Sequence, residues 1–141
     1  MELVRLLSQV VSNICMEKLK KDALLMIYES IKHRVNFEFN VYENAVKDWN
    51  VLPLIENNVV IGGVLIKDNE IHVGYGVKPK STILPYIRRI LNPMIEKYGY
   101  VVTSVIDENK SGLRFCNRLG FIKIGEENGA IKLRCDRSNY K

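Results

Sequence analysis

No apolar run approaches the ~20 residues that a membrane-spanning helix needs, and the opening stretch carries Glu2 and Arg5 without a small-residue cleavage site. Neither a membrane span nor a signal peptide is therefore expected. Cysteine is sparse: Cys15, Cys116 and Cys135 are odd in number, far apart and in no CxxC pattern. That excludes a disulfide framework and points to reduced thiols in the cytoplasm. With His33 and His72 the only histidines, a metal site is not expected either. There is no run of five like charges, no internal repeat and no linker-like stretch. One domain over residues 1–141 is the expectation.

What is present is the composition of a folded soluble protein, 47% hydrophobic and 26% charged. The chain is long enough to bury a core without staples. Its net charge of +5 leaves two readings open. A basic surface attracts phosphates of a nucleotide cofactor or a nucleic acid; alternatively it has no polyanionic partner. No aromatic-basic motif supports a nucleic-acid-binding domain, and nucleic acid is not an expected partner.

The first third is helical in pattern, with Leu3, Leu6, Leu7, Val10, Val11 and Ile14 on one face and Leu24, Ile27, Tyr28, Ile31 and Val35 on another. Glu2 to Leu7 also fits a short strand. Alternating Phe37, Phe39 and Val41 point to an extended connection. Val51 to Ile55, Val59 to Ile66 and the alternating Ile71 to Val77 then read as an antiparallel meander. A helix capped by Ser81 or Thr82 follows, with Pro93 expected to kink or end it and Gly99 to close it. Tyr100 to Ile106 reads as a central strand, parallel to the last meander strand across a βαβ crossover. A short helix from Asp107 to Gly120 and two final strands, Phe121 to Gly125 and Ala130 to Cys135, complete the order.

The stretch Asn109-Lys-Ser-Gly-Leu-Arg-Phe-Cys-Asn-Arg-Leu-Gly-Phe121 carries the most specific signal. Asn109 stands where the chain leaves a strand's carboxy end, the usual ligand crevice of such sheets. Gly120 can take the positive φ that ends a helix. Together with the element order, this stretch resembles the carboxy-terminal motif of the GNAT family, the Gcn5-related N-acetyltransferases. The resemblance implies an α/β fold built on a central mixed sheet, with an antiparallel meander, a βαβ crossover and flanking helices. It also implies acetyl-CoA as co-substrate and an amine as acceptor.

Two departures from the family bear on activity. Its members usually hold the cofactor pyrophosphate in a glycine-rich loop between the meander and the next helix. Here Val77-Lys-Pro-Lys-Ser-Thr-Ile83 contains no glycine. Val77, Lys78, Lys80, Ser81, Thr82 and Asn109 are the candidates for cofactor contact; the alternative for the loop residues is a turn and a helix cap. Cys116 stands where many members place a tyrosine that protonates the departing thiolate. It is a candidate acid or a small buried residue. Glu70 and His72, on the face opposite Ile71 and Val73, are candidate bases or solvated strand residues. Trp49 and Tyr75 fit either an acceptor cleft or the core. Gly74 and Gly76 suit a close backbone approach beside a ligand groove.

Two functional readings follow. One is an acetyl-CoA-dependent N-acetyltransferase acting on a small molecule or protein, in the cytoplasm. The other is an inactive GNAT-like binding or structural protein, resembling small forms encoded by tailed phages, in host cytoplasm or virion. A homodimer or a virion partner is compatible with either.

Overall fold

The computed structural model describes the backbone of residues 2–141 and the side chains of residues 15–141. The helical face assigned to Leu3, Leu6, Leu7, Val10, Val11 and Ile14 lies outside the described side chains. The elements are α1 (Glu2–Ile31), α2 (Phe39–Ala45), β1 (Asn50–Glu56), β2 (Val59–Lys67), β3 (Glu70–Tyr75), α3 (Leu84–Tyr98), β4 (Tyr100–Ile106), α4 (Lys110–Leu119), β5 (Ile122–Glu127) and β6 (Ala130–Asp136). The strands form a mixed sheet in the order β1-β2-β3-β4-β6-β5. Two compact units divide the chain. The first runs to Leu65 and includes Val73–Pro79; the second comprises Ile66–His72 and Lys80–Lys141.

In the first unit, α1 is a single helix where the apolar pattern gave two, and Glu2 to Leu7 is helical rather than a strand. No glycine or proline interrupts residues 2–31, so nothing breaks the helical ladder. Ala23, Leu24 and Ile27 of α1 are buried with Tyr42, Val51 and Leu65. Trp49 packs against this cluster, which places it with the core.

The connection expected to be extended between residues 36 and 49 contains α2. Alternation there misled, because Val41 is 53% exposed while Tyr42 is buried. The period that matters is Phe39, Tyr42 and Val46, a helical one, and all three join the cluster. Tyr28 organises them: its hydroxyl donates to the Phe37 carbonyl at 2.5 Å, and its ring meets Phe39 edge-on at 5.8 Å. Such aromatic pairs contribute about 0.5–1.5 kcal/mol each beyond area burial.

Helix α1 also explains the meander's glycines. A Cβ on Gly63 would reach Ala23 and Ile27, one on Gly74 would reach Ile27 and Ser30, and one on Gly76 would lie 2.9 Å from Met26 Sδ. The space that Gly74 of β3 and Gly76 just beyond it leave open is taken by this helix. The hairpin between β1 and β2 turns on Asn57 and Asn58, at φ 52° and 64°, the positive pair that a tight primed turn requires.

In the second unit, α3 packs on β4, and Leu84, Ile87, Leu91, Met94 and Ile95 form its buried stripe. Pro93 lies inside α3 without ending it. It is exposed, as is Arg89, whose carbonyl loses its helical partner, so water can satisfy that carbonyl. Gly99 closes the helix in the left-handed region at φ 84°. β4 pairs with β6 along its whole length, from Tyr100↔Asp136 to Ile106↔Ala130. Its parallel register with β3 includes the pair Glu70↔Val102. The carboxy-terminal residues Asn139 and Tyr140 fill the space where Gly120, at φ 104°, would carry a Cβ.

Gly62 tests the meander's tight packing. A Cβ there would collide with the Gly74 carbonyl and the Tyr75 backbone, whereas one on Gly125 would meet nothing within 4 Å. Gly62→Ala should cost about 1–3 kcal/mol in urea unfolding, and Gly125→Ala should leave stability within about 0.5 kcal/mol.

Candidate functional site

Residues two apart on a strand share a face, so Glu70 and His72 stand together on β3 while Ile71, 3% exposed, turns into the core. His72 Nε2 lies 2.6 Å from Glu70 Oε2, and both side chains are part-exposed. An ionised carboxylate only accepts, so Nε2 carries the proton of this bond, and in the neutral ring the lone pair falls on Nδ1. This is the arrangement of an oriented base: the carboxylate sets the tautomer and stabilises the cation formed when the ring is protonated. The strand is held here by Val102, whose N–H donates to the Asn69 carbonyl at 2.9 Å.

Among the cofactor candidates, Lys80, Ser81 and Thr82 are exposed residues just before α3. Ile83 is the residue at its N-cap, and Thr82 Oγ1 accepts from Leu84 N at 3.3 Å. The expected cap at Ser81 or Thr82 is thus corrected: the N-cap falls on Ile83, which makes no side-chain cap bond, and Thr82 lies one residue before it. Val77 and Lys78, in the first unit, are exposed. Val77 N–H points to the Ile61 carbonyl at 3.4 Å, a bond that Gly76 N–H shares at 2.9 Å. The Val77 bond is long enough to be exchanged at small cost.

Asn109 caps α4. Its Oδ1 accepts from Gly112 N at 3.0 Å and from Ser111 Oγ at 3.2 Å, and its backbone carbonyl accepts from Leu113 N at 3.1 Å. Gly112 is required because a Cβ would come within 2.6 Å of Asn109 Nδ2. The small residue of the motif thus makes room for the cap.

Cys116 is part-buried on α4. Burial pushes its thiol up to about 11, with the nearby Cys135 adding to the rise. A thiol that holds its proton this tightly is a weak acid toward an ordinary thiolate, whose conjugate acid sits near ~8.5. Cys135 is fully buried and likewise pushed up to about 11, again chiefly by burial.

One basic residue escaped the sequence reading. Arg88 lies one turn into α3, and its Nε is buried without a hydrogen-bond partner among the described residues. Its backbone carbonyl accepts from Tyr140 Oη at 3.1 Å. A buried cationic N–H of this kind favours an anionic ligand. Its place on an otherwise ordinary amphipathic helix gave no signal in the sequence.

No protein-family model matches the sequence, and no curated protein matches it. Solved structures do. A ribosomal-protein-alanine N-acetyltransferase from Brucella melitensis superposes with a TM-score of 0.63 at 11% identity, over 83% of this chain and 94% of that one. Spermidine N-acetyltransferase from Vibrio cholerae, solved with CoA and spermine, gives 0.59 at 16% identity over 86% and 88%. The NatC complex bound to Gag peptide and CoA gives 0.54 at 14% identity over 82% and 91%. The chain therefore has the GNAT fold, as its carboxy-terminal motif implied.

Two outcomes check this geometry. Asn109→Ala should lower stability by about 1 kcal/mol in urea unfolding, while Asn109→Asp retains most of the cap. The thiols give an alkaline limit. Their folded values lie above the ordinary 9.0, so unfolded thiols ionise first and their contribution fades as pH rises from about 9 to 11. The urea midpoint should fall across that window, and fall less in Cys116→Ser.

Proposed function

We propose that this protein is an N-acetyltransferase that moves an acetyl group from acetyl-CoA to an amine of a small molecule or protein. The observation that carries the reading is the Glu70–His72 pair, an oriented base on a strand of this fold. The solved proteins with the same fold include one in complex with CoA and spermine and one bound to a peptide and CoA.

Acetyl-CoA supplies an acetyl group activated as a thioester. His72 takes the proton of the attacking amine, and Glu70, whose Oε2 lies 2.6 Å from Nε2, steadies the resulting imidazolium. The amine nitrogen bonds to the acetyl carbon as the carbon–sulfur bond breaks. The raised value of Cys116 makes solvent the better proton source for the departing thiolate.

The residues at the start of α3 fit a diphosphate. Lys80, Ser81 and Thr82 precede the helix, and Arg88 brings a buried cationic donor without a hydrogen-bond partner among the described residues. Charge and hydroxyls here stand in for the glycine cradle. Asn109 supports the site by capping α4.

The glycine-free segment and the weak acidity of Cys116 favour a second reading, a fold retained as a binding or structural component, including one of a phage particle.

Calorimetric titration with acetyl-CoA separates the two. At about a hundred times the dissociation constant the ligand should raise stability by ~2.7 kcal/mol; no heat and no melting shift at millimolar ligand would reject the transferase. His72→Ala should then lower kcat for thiol release by about 10²–10⁴-fold with acetyl-CoA affinity preserved. Glu70→Gln should lower it by a smaller factor. Full activity in His72→Ala would remove the pair from the mechanism.

A further inference from the structure

β5 is the terminal strand of the sheet order and pairs with β6 alone. Its Ile122 and Ile124, on either side of Lys123, are 50% and 56% exposed, a large apolar exposure on an edge. The register explains its charges. Lys123 stands opposite Leu133 and Glu126 opposite Ile131, with a shift between Lys123 and Gly125 that leaves Ile124 as an extra residue. Leu133 and Ile131 are both buried, so their partners lie on one face of the sheet. Residues three apart on a regular strand point to opposite faces. The extra residue brings Lys123 and Glu126 to the same face, where Nζ and Oε2 are 3.1 Å apart.

A cation and an anion placed symmetrically about Ile124 and Gly125 make this strand complementary to its own antiparallel copy. We propose that β5 is a homodimer interface, pairing antiparallel with β5 of a second copy about a twofold axis through Ile124–Gly125. Lys123 then stands beside Glu126 of the other copy, twice over, with Ile124 opposite Gly125 and Ile122 opposite Glu127. The intramolecular pair is about half exposed on both sides, so exchanging it for the intermolecular one costs little. Bulges and lysines commonly guard edges against indiscriminate pairing. Here they restrict pairing to one self-complementary register.

Sedimentation equilibrium tests this on the full chain across about 1–100 μM, the range of weak to moderate association. The wild-type protein should reach twice the 16.3 kDa chain mass. Lys123→Glu and Glu126→Lys should each weaken the dimer by about tenfold or more, through like charges across the axis. Their melting curves should stay close to wild type, which keeps misfolding apart from dissociation. The equimolar mixture of the two variants restores both opposite-charge contacts and should dimerise; so should K123E/E126K. A wild-type monomer throughout the range, an undiminished dimer in Lys123→Glu, or a mixture that stays monomeric would overturn the proposal. Acetyl-CoA binding is read separately, so failure of the interface leaves the transferase reading standing.

Discussion

Where β3 meets β4, Glu70 stands in parallel register with Val102, steadied by the bond from Val102 N–H to the Asn69 carbonyl. On its other side β4 pairs along its whole length with β6. The contact with Val102 holds the Glu70 end of β3 within the second unit. The base candidates stand at this junction. Their geometry follows from strand pleating, with Ile71 anchoring one face and Glu70 and His72 sharing the other.

The chemistry available there is set by differences in environment. The part-exposed imidazole has a carboxylate at 2.6 Å that fixes which nitrogen is protonated. The thiol at Cys116 has burial instead, which makes its proton hard to release. Of the groups considered as acids and bases, the cysteine is thus the one whose surroundings hold its proton in place. The groups proposed for an anion differ in the same way. Lys80, Ser81 and Thr82 are exposed before α3, while Arg88 has a buried Nε without a hydrogen-bond partner among the described residues.

Much of the architecture was legible because it is local. Turn residues such as Asn57-Asn58 and Asn128-Gly129 mark hairpins through their tolerance of positive φ. The motif from Asn109 to Phe121 carries its own cap, its own small residue and its own helix-ending glycine, each a short-range requirement. α2 was missed because Phe37, Phe39 and Val41 alternate in sequence. The partner that selects the helical set is Tyr28, distant along the chain. Gly74 and Gly76 were read as room for a ligand; α1 takes that room, and no local pattern could assign it to a helix so far upstream.

The motif that identified the fold thus acquires a more structural meaning. Asn109 spends its side-chain oxygen on holding α4, and Cys116 is shielded on that helix. By itself the sequence determined the order of the sheet elements, the glycines that end α3 and α4 and the face shared by Glu70 and His72, because pleat and turn act over a few residues. Tertiary structure alone decided the 2.6 Å contact within that pair, the value of the Cys116 thiol and the burial of Arg88 Nε, which has no partner among the described residues. Each of these depends on which distant atoms exclude water, and that is written only in the packed chain.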